Sequence, residues 1–220
     1  GLHTLGLFDQ GMEQPSSVRI LVVESSEFLG FTPKASVERD TIYLSSRIKS
    51  LAELQLVLAH EFVHLIRHRY YSEDDLWLEE GMAKVVESIF ANDWAEKYDK
   101  ILPKIAEIRL SSSGSSYWSQ NEGAFEGYVT SYYLSQYLFN RLGGMEVVRA
   151  WLKSPLQGWD AIEAIAKSQR QKGHIGIPEK FLTRRSLFLH FSVAAVINDP
   201  FSAQYSLFHL DRRYSPLSST

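Results

Sequence analysis

The strongest constraint on this chain is a helix that marks its own start and can hardly stand alone in water. Ser50 stands three residues ahead of Glu53, the reciprocal pairing that satisfies free amide donors at a helix N-terminus. From there Leu51, Leu54, Leu58, Phe62, Leu65 and Ile66 recur at steps of three and four, which predicts one long, strongly buried helix to about Tyr70. That helix carries His60-Glu61-Phe62-Val63-His64. Positions four apart stack on one helical face, so the two imidazoles can grip a single metal ion from adjacent turns. Glu61, one step from the first histidine, can reach a water held on that ion rather than the ion itself, the arrangement hydrolytic zinc sites require. A random shuffle of this composition would produce the pattern only roughly 0.02 times per chain, so coincidence is a poor explanation.

Composition narrows what such a site can be made of. The 220 residues contain no cysteine, which excludes disulfides, a thiolate zinc site and a cysteine nucleophile. Any metal must therefore sit on His, Asp or Glu. With 23 basic and 26 acidic residues the formal charge is −3, and no basic run is long enough to track a phosphate backbone, so nucleic acid is not an expected partner. The most apolar windows, 54–66 and 187–197, contain His, Glu or polar residues and are too short to span a bilayer. Apolar residues at 45% and charged residues at 22% describe an ordinary folded domain. The length predicts one domain over 1–220, with 1–80 forming one lobe and 81–220 a second, helical one. The chain opens on Gly1, so a targeting segment can have preceded this numbering; the compartment stays open, with an extracytoplasmic one favoured.

Around the long helix, β-branched residues at 18–25 and the near-alternating Thr41–Ser45 predict strands, with a loop or one more short strand near Gly30 and Pro33. Helices are predicted from Glu80 to about Ala91, within 93–110, and at 124–142, 145–153, 160–167 and 178–198. The serine-rich stretch 111–119 reads as a loop, and the aromatic tail 201–220 as a strand or hairpin.

A catalytic zinc site normally takes three protein ligands and leaves a fourth position open. A third histidine six residues past His64, with glycine at three, is not available, because Tyr70 and Arg67 stand there. A carboxylate remains. Downstream, Trp77-Leu78-Glu79-Glu80-Gly81-Met82-Ala83 resembles the Trp-Leu-x-Glu-Gly-x-Ala signature of the gluzincin, or peptidase MA-like, zinc metallopeptidases. In that family the glutamate before glycine is the third zinc ligand, a position matched by Glu80, with Glu79 as the fallback. A carboxylate in the first turn of a second helix would be favoured by the positive end of that helix. Only 15 residues separate His64 from Glu80, fewer than in gluzincin aminopeptidases, so the connection must be tight. Glu87, two helical turns beyond Glu80, is the expected partner for the second nitrogen of a zinc-bound imidazole.

The stretch from Tyr128 to Gly144 also resembles the aminopeptidase helix that begins with a transition-state tyrosine, which makes Tyr128 the expected oxyanion donor, followed by Tyr132 or His190. His3, His68, His174 and His209 have no such context and are expected to be structural or solvated. The resemblance covers about residues 41–153. It implies an α+β, zincin-like fold: a small twisted N-terminal sheet on the active-site helix, then a mostly helical C-terminal lobe. Thr41–Ser45 would be the edge strand beside the substrate cleft, where an extended peptide can pair through its main chain. The implied activity is zinc-dependent hydrolysis of peptide bonds by water on the ion, with Glu61 as general base. Gln10-Gly11-Met12-Glu13-Gln14 does not reproduce the aminopeptidase motif for a free amino terminus, so an endopeptidase is favoured. The competing reading is a latent or inactive protein of the same fold that serves as a binding or scaffold module.

Overall fold

The computed structural model describes residues 17–34, 40–71, 74–90 and 124–197. The fold is α+β, a small mixed sheet at the N-terminus followed by helices. Strands β1 (Arg19–Val23), β2 (Gly30–Phe31) and β3 (Thr41–Ser45) lie in the order β1-β3-β2, with β1 parallel and β2 antiparallel to β3. The expectation that Thr41–Ser45 forms the sheet edge is thus incorrect: it is the central strand. The reason is visible in its burial, since Ile42 and Leu44 pack on one side while Thr41 and Ser45 are also shielded, as befits a strand with neighbours on both flanks. The edge beside the long helix is instead β2, cut to two residues a short way before Pro33, which has no amide hydrogen to extend a ladder.

Helix α1 (Leu51–Tyr70) begins as the sequence indicates: Ser50 Oγ accepts from the Glu53 amide at 3.1 Å, while the Glu53 carboxylate accepts from the Lys49 amide at 2.8 Å. One face of α1, through Leu65, joins Ile42 and Leu44 of β3 in a small core under the sheet. Its other face, through Val63 and Ile66, joins the main core formed with α2 (Leu76–Phe90), α3 (Ala124–Leu142), α4 (Met145–Leu152), α5 (Gly158–Gln171) and α6 (Arg184–Ile197). The helix is hence buried on two sides. Among the described residues, no helix is long and apolar enough to cross a membrane.

Several boundaries differ from the sequence reading, among them those of the helix expected at 160–167, which runs over Gly158–Gln171. The second helix starts at Leu76 rather than Glu80, so Glu80 lies in its second turn and not at its positive end. The predicted helix at 178–198 is broken: a single 3-10 turn at Glu179–Phe181 is followed by a fresh start at Arg184, where Thr183 Oγ1 accepts from the Ser186 amide at 3.4 Å. The expected helices within 93–110, the 111–119 loop, the 201–220 tail, His3 and His209 fall outside the described residues.

Gly81 lets α2 approach α3 closely. A Cβ there would stand 2.2 Å from Ser135 Oγ and 2.6 Å from the Ser131 carbonyl oxygen, and the second of these is backbone. Gly81→Ala is therefore expected to lower stability by about 1–3 kcal/mol through overpacking, read as a lower urea midpoint with an unchanged slope.

Candidate metal centre

Because α1 and α2 are joined by only five residues, they run back antiparallel and present side chains to one another along their length. His60, His64 and His68 form a column at four-residue steps on α1, and α2 answers with Glu87, Glu80 and Glu79. The Nε2 atoms of His60 and His64 are 3.0 Å apart, and Glu80 places its carboxylate oxygens 3.2 Å from His60 Nε2 and 3.6 Å from His64 Nε2. The two ring nitrogens and the Glu80 carboxylate thus outline a triangle. A tetrahedral ion about 2.0 Å from each ligand demands ligand separations of about 3.3 Å, close to this outline.

The opposite ring nitrogens are committed elsewhere. His60 Nδ1 donates to Glu87 Oε2 at 3.1 Å, and Glu87 is itself held by Lys84 Nζ at 2.6 Å. His64 Nδ1 donates to Glu79 Oε1 at 3.1 Å. Each carboxylate fixes the tautomer that leaves Nε2 directed at the shared point, the usual support for a metal-binding imidazole. Glu87 thus takes the expected place beside His60. Glu79 lies on the far side of the His64 ring from Glu80, at its Nδ1.

Electrostatics at the centre follow from this crowding. Burial disfavours a charged His60, but hydrogen bonds to Glu80 and Glu87 outweigh it and raise its pKa from 6.5 to about 9. Burial likewise opposes the charge on Glu80, and the neighbouring imidazoles of His64 and His60 overcome it to hold the carboxyl below its ordinary range. Glu79 is also held well below that range: burial acts upward, while hydrogen bonds from His64 and His68 act downward more strongly. Protonated His60 can donate through Nε2 to Glu80 Oε2, 3.2 Å away. The sign of its contribution follows: protonated His60 stabilises the fold fully below pH 6.5, and this support is lost as pH rises through about 9.

Glu61 is buried and is not one of the converging ligand atoms. Its carboxylate accepts from Thr32 Oγ1 at 2.9 Å, and the same hydroxyl lies 3.0 Å from the Glu61 carbonyl oxygen. Gly30 of β2 leaves the space for it, since a Cβ there would stand 2.6 Å from Glu61 Cγ. Sequence reasoning does not bring Thr32 or Gly30 to Glu61, because nothing in a linear pattern shows that a two-residue strand will lie against that part of α1.

Of the remaining expected residues, Tyr132, His174 and His190 lie away from the cluster. Tyr128 belongs to α3, three residues ahead of Ser131, whose carbonyl abuts Gly81; its side chain is outside the described set. Tyr132 is buried in the main core against Tyr133. His190 lies against the ring of Phe181, and His174 hydrogen-bonds Gln169 at 2.6 Å, so neither contributes to the cluster. His68, by contrast, is drawn in, with Nε2 2.5 Å from Glu79 Oε1.

No protein-family model matches the chain, and no curated protein shows significant similarity to it.

Proposed function

We propose that the chain is a zinc-dependent peptidase of the gluzincin type, with His60, His64 and Glu80 as metal ligands and an unstructured peptide or protein segment as substrate. One observation carries the reading: two imidazole Nε2 atoms and one carboxylate converge at 3.0, 3.2 and 3.6 Å, while both opposing Nδ1 atoms are anchored by carboxylates. The donor set suits the ion, since two imidazole nitrogens and a carboxylate with no cysteine match a hydrolytic rather than a structural zinc site. Zinc bound there would supply Lewis acidity toward a carbonyl oxygen and toward water.

The protein's own groups supply the rest. Glu61, held at one oxygen by Thr32, takes the proton of the attacking water and returns it to the departing amine. Glu80 balances the charge of the site. Tyr128, on the helix packed against the Glu80 helix, is the proposed hydrogen-bond donor to the developing oxyanion. The edge of β2 runs next to Glu61 and offers an extended peptide a main-chain partner.

The test is metal analysis of the purified chain, followed by chelation and zinc restoration with cleavage of fluorescein-labelled casein as readout. Zinc at one ion per chain with cleavage that is lost and regained supports the proposal; a protein that binds no zinc removes it. A linked outcome follows from His60. Its proton must leave before the ion enters, so zinc binding at pH 7 is expected to release about one proton, and apparent affinity should climb with pH until about 9. Calorimetry in buffers of different ionisation enthalpy measures that release.

A further inference from the structure

His68 is left over by this scheme, yet it is the third member of the histidine column and is 8% exposed. Its Nδ1 is buried with no hydrogen-bond partner. A buried N–H without an acceptor is costly, so the ring carries its proton on Nε2 and donates it to Glu79 Oε1 at 2.5 Å. The same oxygen accepts from His64 Nδ1 at 3.1 Å, and the other oxygen of Glu79 is held by Lys34 Nζ at 2.9 Å. Glu79 is thereby clamped at both ends, and only one orientation of the His64 ring satisfies it.

We infer that His68 is a positioning residue for the metal centre, acting through Glu79 to lock the ring of His64 with Nε2 turned toward His60 and Glu80. The inference rests on the proposed ligand set and extends it by one link. The atoms of His64, His68 and Glu79 are close enough to form a second ion site by themselves. The Lys34 ammonium on Glu79 argues against that use, because it places positive charge where a second divalent cation would need to bind.

The experiment measures zinc affinity and stoichiometry of the full chain by competition with a chromophoric chelator, alongside the melting temperature of the chelator-stripped protein. His68→Phe keeps a flat aromatic ring and removes the donor, and is expected to weaken zinc binding about tenfold. His68→Gln, whose amide can donate from a similar place, should bring affinity back close to the parent. A purely structural role would instead lower the stripped protein's melting temperature and leave zinc affinity unchanged, and that result overturns the inference. Two zinc ions per chain also overturn it, since His68 and Glu79 would then be ligands. A parent chain that binds no zinc defeats the ligand assignment itself, which separates that failure from this one. If His68→Phe does not fold, Lys34→Met frees the other oxygen of Glu79 from a half-exposed position, and an unchanged affinity there counts equally against the clamp.

Discussion

Glu61→Gln is expected to reduce peptide cleavage by about 10²–10⁴-fold while zinc content stays at the parent level. The amide keeps the size of the carboxylate and can still meet Thr32, whose hydroxyl serves as donor or acceptor, so the contact at 2.9 Å need not be broken. What is lost is the ability to take a proton from water. Because Glu61 is not among the converging ligand atoms, metal binding should be indifferent to the change. Parallel measurement of turnover and of zinc per chain checks both halves; a variant that cleaves at the parent rate removes Glu61 from the chemistry, and one that loses zinc makes it a ligand.

The second large effect concerns stability. Arg67 is buried, and its guanidinium donates to Asp74 Oδ2 through Nε at 3.1 Å and through a terminal nitrogen at 2.8 Å. It also donates to the carbonyls of Trp151 at 2.9 Å, Ser154 at 2.7 Å and Leu156 at 3.2 Å. Asp74 in turn accepts from Trp151 Nε1 at 2.7 Å and from the Gly158 amide at 2.9 Å. This knot ties the end of α1, the connection into α2 and the α4–α5 turn. Arg67→Met would leave Asp74 charged and buried without its cation, and would orphan three carbonyls. A loss of about 3–5 kcal/mol is expected in chemical denaturation. A loss under about 1 kcal/mol would show that water enters the knot and takes over these bonds.

Local chemistry explains which parts of this molecule could be read in advance. Ser50 and Glu53 sit within one turn of each other, and the apolar period of α1 needs no distant partner to be recognised, so the helix and the His60–His64 pair were legible. Glu80 was legible only through the resemblance of Trp77–Ala83 to the gluzincin signature, and Glu87 through its seven-residue spacing from Glu80, which places both on one side of α2. The fold class followed from the same segments. The position of β3 in the sheet did not, because strand order depends on which backbones pair, and Thr41–Ser45 offers the same alternation at an edge or in the centre. Thr32 and Lys34 were invisible for a similar reason. They follow a strand of two residues, too short for any period, and reach Glu61 and Glu79 only once the sheet has closed over α1. The contact of Glu79 with His64 and His68 was not legible either: adjacent helical residues point about 100° apart, which sends Glu79 to the next turn of α1 from Glu80.

The Arg67–Asp74 knot and the His60–His64–Glu80 triangle fasten the same two helices at separate heights. On the proposed zinc reading, the first clasp holds the helices whether or not the second carries an ion, unlike zinc fingers, whose architecture collapses once stripped. Chelation is then expected to leave the shape in place and to be reversed when metal returns, so scarcity of zinc would silence the protein without destroying it.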